Sequence, residues 1–115
     1  MKDDRLYLTH ILECIAKIER FTTEGKDAFL SDDKTQDAVL RNLQIMAEST
    51  QRVSDSLKAL HPEVPWPEIA GFRNVLAHDY LGVKVERVWE VIQAGLPRLK
   101  ASAQSMLKTL GPAPE

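Results

Sequence analysis

The chain has 115 residues, 43% of them apolar and 28% charged, with one cysteine and a formal net charge of −2. That length suits a single domain with its own core, and one cysteine excludes an internal disulfide framework, so a reducing cytoplasm is the expected compartment. No apolar run approaches a membrane span, no signal peptide follows Met1-Lys2-Asp3-Asp4-Arg5, and the acidic balance argues against holding nucleic acid by bulk positive charge.

The first predicted element is a helix over roughly 4–22, because Leu8, Ile11, Leu12, Ile15 and Ile18 recur at steps of three and four and share one face. Glu13, Lys17 and Arg20 lie off that stripe and are expected in water. Thr22 to Gly25 breaks the pattern, and Lys26 to Leu30 is a turn of helix at most. Asp33 with Gln36 three residues on has the form of a capping box. From there Val39, Leu43, Met46, Thr50, Val53, Leu57 and Leu60 alternate steps of four and three, which predicts one long helix over roughly 33–60 with a bundle seam. His61-Pro62-Glu63-Val64-Pro65-Trp66-Pro67 is a loop, with Pro67 admissible in the first turn of a third helix running from about 67 to 79. A fourth helix begins near Lys84 with Val85, Val88, Trp89 and Ile92 inward, and Gly95 and Pro97 kink or split it before a last segment ending at Leu110. Residues 1–110 read as one all-α domain, an up-and-down bundle of four to five helices, and 111–115 as a disordered tail.

The third helix carries the chemistry. With about 100° per residue, Ile69, Phe72, Val75 and Leu76 fall on the core side. Asn74 and His78 lie one turn apart on the other side, Arg73 at its edge, and Tyr80 beneath Arg73 if the helix continues. One reading is a solvated polar face. The other is a minimal kit for attack of an RNA 2′-hydroxyl on its own phosphodiester. A guanidinium holds phosphate oxygens in a fork and offsets charge building at phosphorus, while a histidine takes or gives a proton near neutral pH.

Arg73-Asn74-Val75-Leu76-Ala77-His78-Asp79-Tyr80 resembles the Arg-x4-His-x-Tyr motif of the HEPN superfamily, in its HepT-like (DUF86) branch. The stretch from Phe29 to Ala38, the lead-in Trp66-Pro67-Glu68-Ile69 and the exit Leu81-Gly82-Val83 are similar to that family too. The resemblance implies a metal-independent ribonuclease acting as a toxin of a toxin–antitoxin pair. Arg73 and His78 would be its catalytic residues and Asn74 the supporting polar one. It further implies a homodimer with the active site in a cleft between protomers. Tyr80 would be the tyrosine that an MntA-type nucleotidyltransferase antitoxin modifies with AMP. Ala47-Glu48-Ser49-Thr50-Gln51-Arg52 is more polar than the corresponding family stretch. Because the chain is acidic overall, RNA affinity must come from a local patch, for which Arg41, Arg52, Lys58, Lys84 and Arg87 are candidates beside Arg73. Two readings compete with the toxin: a non-catalytic substrate-binding or regulatory partner of a minimal nucleotidyltransferase, and a structural helical dimer with a degenerate site.

The remaining reactive residues have plainer expectations. Cys14 lies on the apolar stripe of the first helix and is expected to be buried packing. His10, His61 and His78 lack ligand spacing, so no metal site is expected, and with no Gly-rich phosphate loop no cofactor is either. Trp66 and Trp89 are expected core anchors.

Overall fold

All seven elements in the described residues are helices, in the order α1 (Asp4–Phe21), α2 (Lys26–Leu30), α3 (Asp33–Arg52), α4 (Asp55–Ala59), α5 (Trp66–His78), α6 (Val85–Ala94) and α7 (Leu96–Leu110). The computed structural model describes residues 3–78 and 82–111. Five of the helices are ten residues or longer, so the expected all-α bundle holds, with α2 and α4 as single-turn connectors. None of the helices is long and apolar enough to cross a membrane. Of the tail over 111–115, for which disorder is expected, Gly111 caps α7 by donating its N–H to the Leu107 carbonyl at 3.1 Å, and 112–115 lie outside the described residues.

α1 forms where its periodicity puts it. Asp3 caps its start by accepting from the Arg5 backbone N–H, and Leu8, Ile11, Ile15 and Ile18 are buried to 1% exposure or less. Each such side chain contributes about 2 kcal/mol of hydrophobic stabilisation. Their partners are Val39, Leu43 and Met46 from α3 and Leu99, Ala103 and Met106 from α7, all in one core. A Lys100–Glu19 ion pair of 3.1 Å joins α7 to α1 at the surface. Cys14 is buried in this stripe as expected, and burial pushes its thiol pKa up.

Three boundaries differ from the sequence reading. The cap of α3 is Asp32, not Asp33: its carboxylate accepts from Lys34 N–H and from the Thr35 hydroxyl at 2.6 Å, which holds the carboxyl pKa below its usual range. Gln36 does not close a capping box but donates to the Phe29 and Leu30 carbonyls, tying α2 to α3.

The long second helix is two. Val53 and Ser54 are extended (ψ 139° and 148°), and Ser54 caps α4 through Leu57 N–H. The break is held from α1, where the Asp4 carboxylate accepts from Ser54 N–H at 2.8 Å and from the Ser54 hydroxyl at 2.6 Å. A serine is a strong cap, and here a distant carboxylate makes the non-helical conformation the better one. The apolar seam continues across the break to Leu57, but Leu60 is 74% exposed, since it follows the turn instead of the helix.

The third difference is small. α5 begins at Trp66, one residue before Pro67, with the Trp66 indole N–H donating to the His61 carbonyl at 3.0 Å. Trp66 and Trp89 do pack against the core, Trp89 beside Phe29 with ring centroids 5.5 Å apart. The predicted split between α6 and α7 occurs at Gly95, because Pro97 has no N–H to continue the ladder.

Candidate functional site

α5 sits at the margin of the bundle, with α3 as its principal neighbour. Of its predicted core face, Leu76 is fully buried and Ile69 and Phe72 pack partly against the core. Val75 is 45% exposed and does not join them, because α5 contacts the bundle along one narrow line. Gly71, Asn74, Ala77 and His78 also face solvent.

This placement orders the polar residues. Arg73 points toward α3, where its Nε donates to Glu48 Oε1 at 2.6 Å, and its Nη1 donates to Asn74 Oδ1 at 3.0 Å. Both partners of the Arg73–Glu48 pair are about one-third exposed, so the pair orients the guanidinium more than it stabilises the fold. Two bonds leave most of the guanidinium's five donors available to a ligand. His78 ends α5 on the open side, one turn from Asn74. Arg73 and His78 are five residues apart, about 7.5 Å along the axis and roughly 140° around it, so within one chain they face different sides of α5. Tyr80, the expected modification site, lies outside the described residues.

Glu48 is a site residue that the sequence reading did not single out. Its signal was the polar stretch from Ala47 to Arg52, whose carboxylate faces α5 once α3 and α5 pack. Within that stretch Ala47, Ser49 and Thr50 are buried, and Thr50 satisfies its hydroxyl on the Ala47 carbonyl at 2.6 Å.

The candidate RNA-binding cations do not form one patch. Arg41 and Arg52 lie along one face of α3 and line a groove with Tyr7, His10 and Glu48. Lys58 is turned over the Trp66 ring at 5.7 Å and donates to the Gln51 carbonyl. Arg87 is paired with Glu90 at 3.1 Å on α6, and Lys84 precedes that helix, which packs on α7 and α2. Elsewhere, His61 binds Glu63 at 3.0 Å and so holds that carboxyl below its usual pKa range. Among the described residues no three His, Cys, Asp or Glu side chains gather to hold a metal ion.

Known proteins match this chain along nearly its whole length. The family described as Ribonuclease HepT-like matches residues 11–106, which takes in both α3 and α5. A Thermococcus cleftensis protein named "Probable ribonuclease HepT" is 42% identical over 103 residues, covering 89% of this chain and 94% of its own. A Caldanaerobacter subterraneus subsp. tengcongensis protein named "Putative RNase" is 37% identical over 109 residues, covering 94% and 97%. A Methanocaldococcus jannaschii protein named "Gamma-glutamylcyclotransferase and putative RNase" is 34% identical over 110 residues, and there the match covers 95% of this chain but 50% of the relative. No solved structure matches. With its all-helical fold and its Arg73–His78 helix end, this chain belongs to the HepT-like ribonuclease family.

Proposed function

We propose that the protein is an endoribonuclease that cuts RNA without a metal ion, using Arg73 and His78 in a cleft between two copies of the chain. The observation that carries this reading is that α5 holds both groups, Arg73 oriented by Glu48 on the side toward α3 and His78 open to solvent five residues on, in a family of ribonucleases. His78 takes the proton from a ribose 2′-hydroxyl, and the freed oxygen forms a bond to the adjacent phosphorus. Arg73 stabilises the charge that gathers on the phosphate oxygens. The bond from phosphorus to the 5′-oxygen then breaks, and His78 of the second copy gives that oxygen a proton. The products are a 2′,3′-cyclic phosphate and a 5′-hydroxyl.

Dimerisation through α5 is supported by Gly71. A glycine inside a helix costs about 1 kcal/mol relative to alanine. A Cβ there would meet nothing within 4 Å in the single chain, so intrachain packing does not require it. A second helix packing closely on the Gly71, Asn74, Val75 and His78 side would make use of the missing Cβ and would also cover exposed Val75.

The same reading makes the protein the toxin of a toxin–antitoxin pair, silenced when an MntA-type nucleotidyltransferase adenylylates Tyr80. The phenol oxygen attacks the α-phosphorus of ATP, losing its proton and expelling pyrophosphate. The adduct places phosphate charge and bulk two residues from His78. The test is purified protein incubated with RNA in excess EDTA: cleavage leaving cyclic-phosphate ends is expected, and His78→Ala should abolish it. Equal cutting by His78→Ala would overturn the assignment. Co-expression with the transferase should add one adenylate mass to the wild type and none to Tyr80→Phe.

A further inference from the structure

The groove between α1 and α3 adjoins the site above and shares Glu48 with it. It offers about 560 Å³, and its lining includes Tyr7 and His10 from α1 and Arg41, exposed Ile45, Glu48 and Arg52 from α3. That is the size range of small-ligand sites, and its composition is unlike the rest of an acidic chain.

Its charge is positive. Arg41 and Arg52 are exposed and neither has a carboxylate partner among the described residues, whereas Arg5, Arg73, Arg87 and Lys100 do. Glu48, the carboxylate lining the groove, is already bound by Arg73. The two guanidiniums are eleven residues apart on α3, about 16 Å along its axis, too far to grip one phosphate together. Between them Ser49 is 5% exposed and lines the groove.

Its opposite wall is aromatic. Tyr7 and His10 are one helical turn apart on α1, with ring centroids 6.3 Å apart and planes at 79°. Both are half-buried, so part of each ring stays open to a ligand. Cations spaced along a groove with rings beside them are the elements of sequence-tolerant single-strand binding, in which arginines follow the backbone and rings stack on unpaired bases. The groove also leads to the chemistry, because Glu48 both lines it and holds Arg73.

We propose that this groove is a single-stranded RNA track. Arg41 and Arg52 hold two separate backbone phosphates, Tyr7 stacks on an unpaired base while His10, nearly perpendicular to it, meets that base or its neighbour edge-on, and the strand continues to Arg73. The assignment of RNA as occupant rests on the ribonuclease reading, while the groove's composition stands apart from it.

The test measures binding of a fluorescein-labelled single-stranded RNA of about twelve nucleotides by anisotropy. A His78→Ala background keeps the RNA intact, and cleavage is followed separately with His78 present. The double variant Arg41→Ala/Arg52→Ala should bind about ten- to a hundredfold more weakly, with a salt slope shallower by about 1.4, as two lost phosphate contacts require. Tyr7→Ala should lose about tenfold in affinity and Tyr7→Phe should keep it. Circular dichroism checks that the variants fold, and light scattering follows their oligomeric state. Wild-type affinity and salt slope in the double variant would overturn the track. So would a change in the dimer equilibrium with RNA affinity intact, which would make the groove a face between copies. A wild-type protein that binds the oligomer through these residues but never cuts it keeps the track and sinks the ribonuclease reading. One that cuts while the groove variants bind and cut normally sinks the track alone.

Discussion

α1 and α5 use their side chains in opposite ways. α1 buries five residues along one stripe and meets both α3 and α7, so its face toward the core is complete. α5 fully buries only Leu76 and leaves Val75, Asn74 and His78 in solvent. What keeps α5 in place is a narrow apolar line, the Trp66 anchor and the Arg73–Glu48 pair. The difference teaches that α1 completes the core while α5 leaves most of its polar side chains available. A helix with so little burial adds little to the core and leaves one side open.

That contrast is open to attack, first with the largest substitutions. Leu8→Ala on α1 should cost about 2–5 kcal/mol in urea unfolding, a large part of the stability of a domain this size. His78→Ala on α5 should leave unfolding within about 0.5 kcal/mol of wild type while slowing RNA cleavage by about 10² to 10⁴. If His78→Ala destabilises as Leu8→Ala does, α5 is structural and the division fails.

Glu48→Ala should release the Arg73 guanidinium and slow cleavage about tenfold, with Glu48→Gln, which still offers an acceptor oxygen, close to wild type. Its melting temperature should barely move, because the pair is partly exposed. Equal losses in both variants would mean that the negative charge matters rather than the orientation.

Ser54→Ala removes the α4 cap and one hydrogen bond to Asp4 at once, and should cost about 1–2 kcal/mol in thermal unfolding. Gly71→Ala sharpens the comparison by its sign. In a monomer the alanine gains about 1 kcal/mol of helix propensity, since nothing crowds the new Cβ. In an α5-mediated dimer it weakens association, which analytical ultracentrifugation would read as a raised dissociation constant.

The smallest effect concerns Cys14. Its pKa is raised by burial, so the folded thiol keeps its proton and should react with iodoacetamide at neutral pH far more slowly than the urea-unfolded chain. The sign of the linkage follows: the folded state holds the proton more tightly, so this contribution to stability is present below the unfolded thiol pKa of about 8.5 and lost as pH rises through the folded value. Fast labelling of the native protein would show that α1 opens more readily than its packing implies.

Much of this was legible in the residues. The stripe from Leu8 to Ile18, the Pro-rich loop, the split near Gly95 and Pro97, and the buried Cys14 follow from local periodicity and from what glycine and proline do to a backbone. The motif from Arg73 to Tyr80 also pointed to the family that the whole-length match bears out. The break at Ser54 was not legible, because it depends on Asp4, fifty residues earlier, choosing that serine as its partner. Nor was the exposure of Val75, since a wheel shows which residues share a face but not how wide a contact the neighbouring helix makes.

By itself, then, the sequence determined an all-helical chain, its apolar stripes and the residue types gathered at the end of α5. Those are properties of spacing, and spacing is carried by the chain alone. Tertiary structure decided that Glu48 holds Arg73, that Arg41 and Arg52 share a groove with Tyr7 and His10, and that Lys58 and Arg87 are engaged elsewhere. The physical reason is that salt screens exposed charges beyond about 10 Å. A net charge of −2 describes the whole chain, while a phosphate meets only the side chains that packing brings around it.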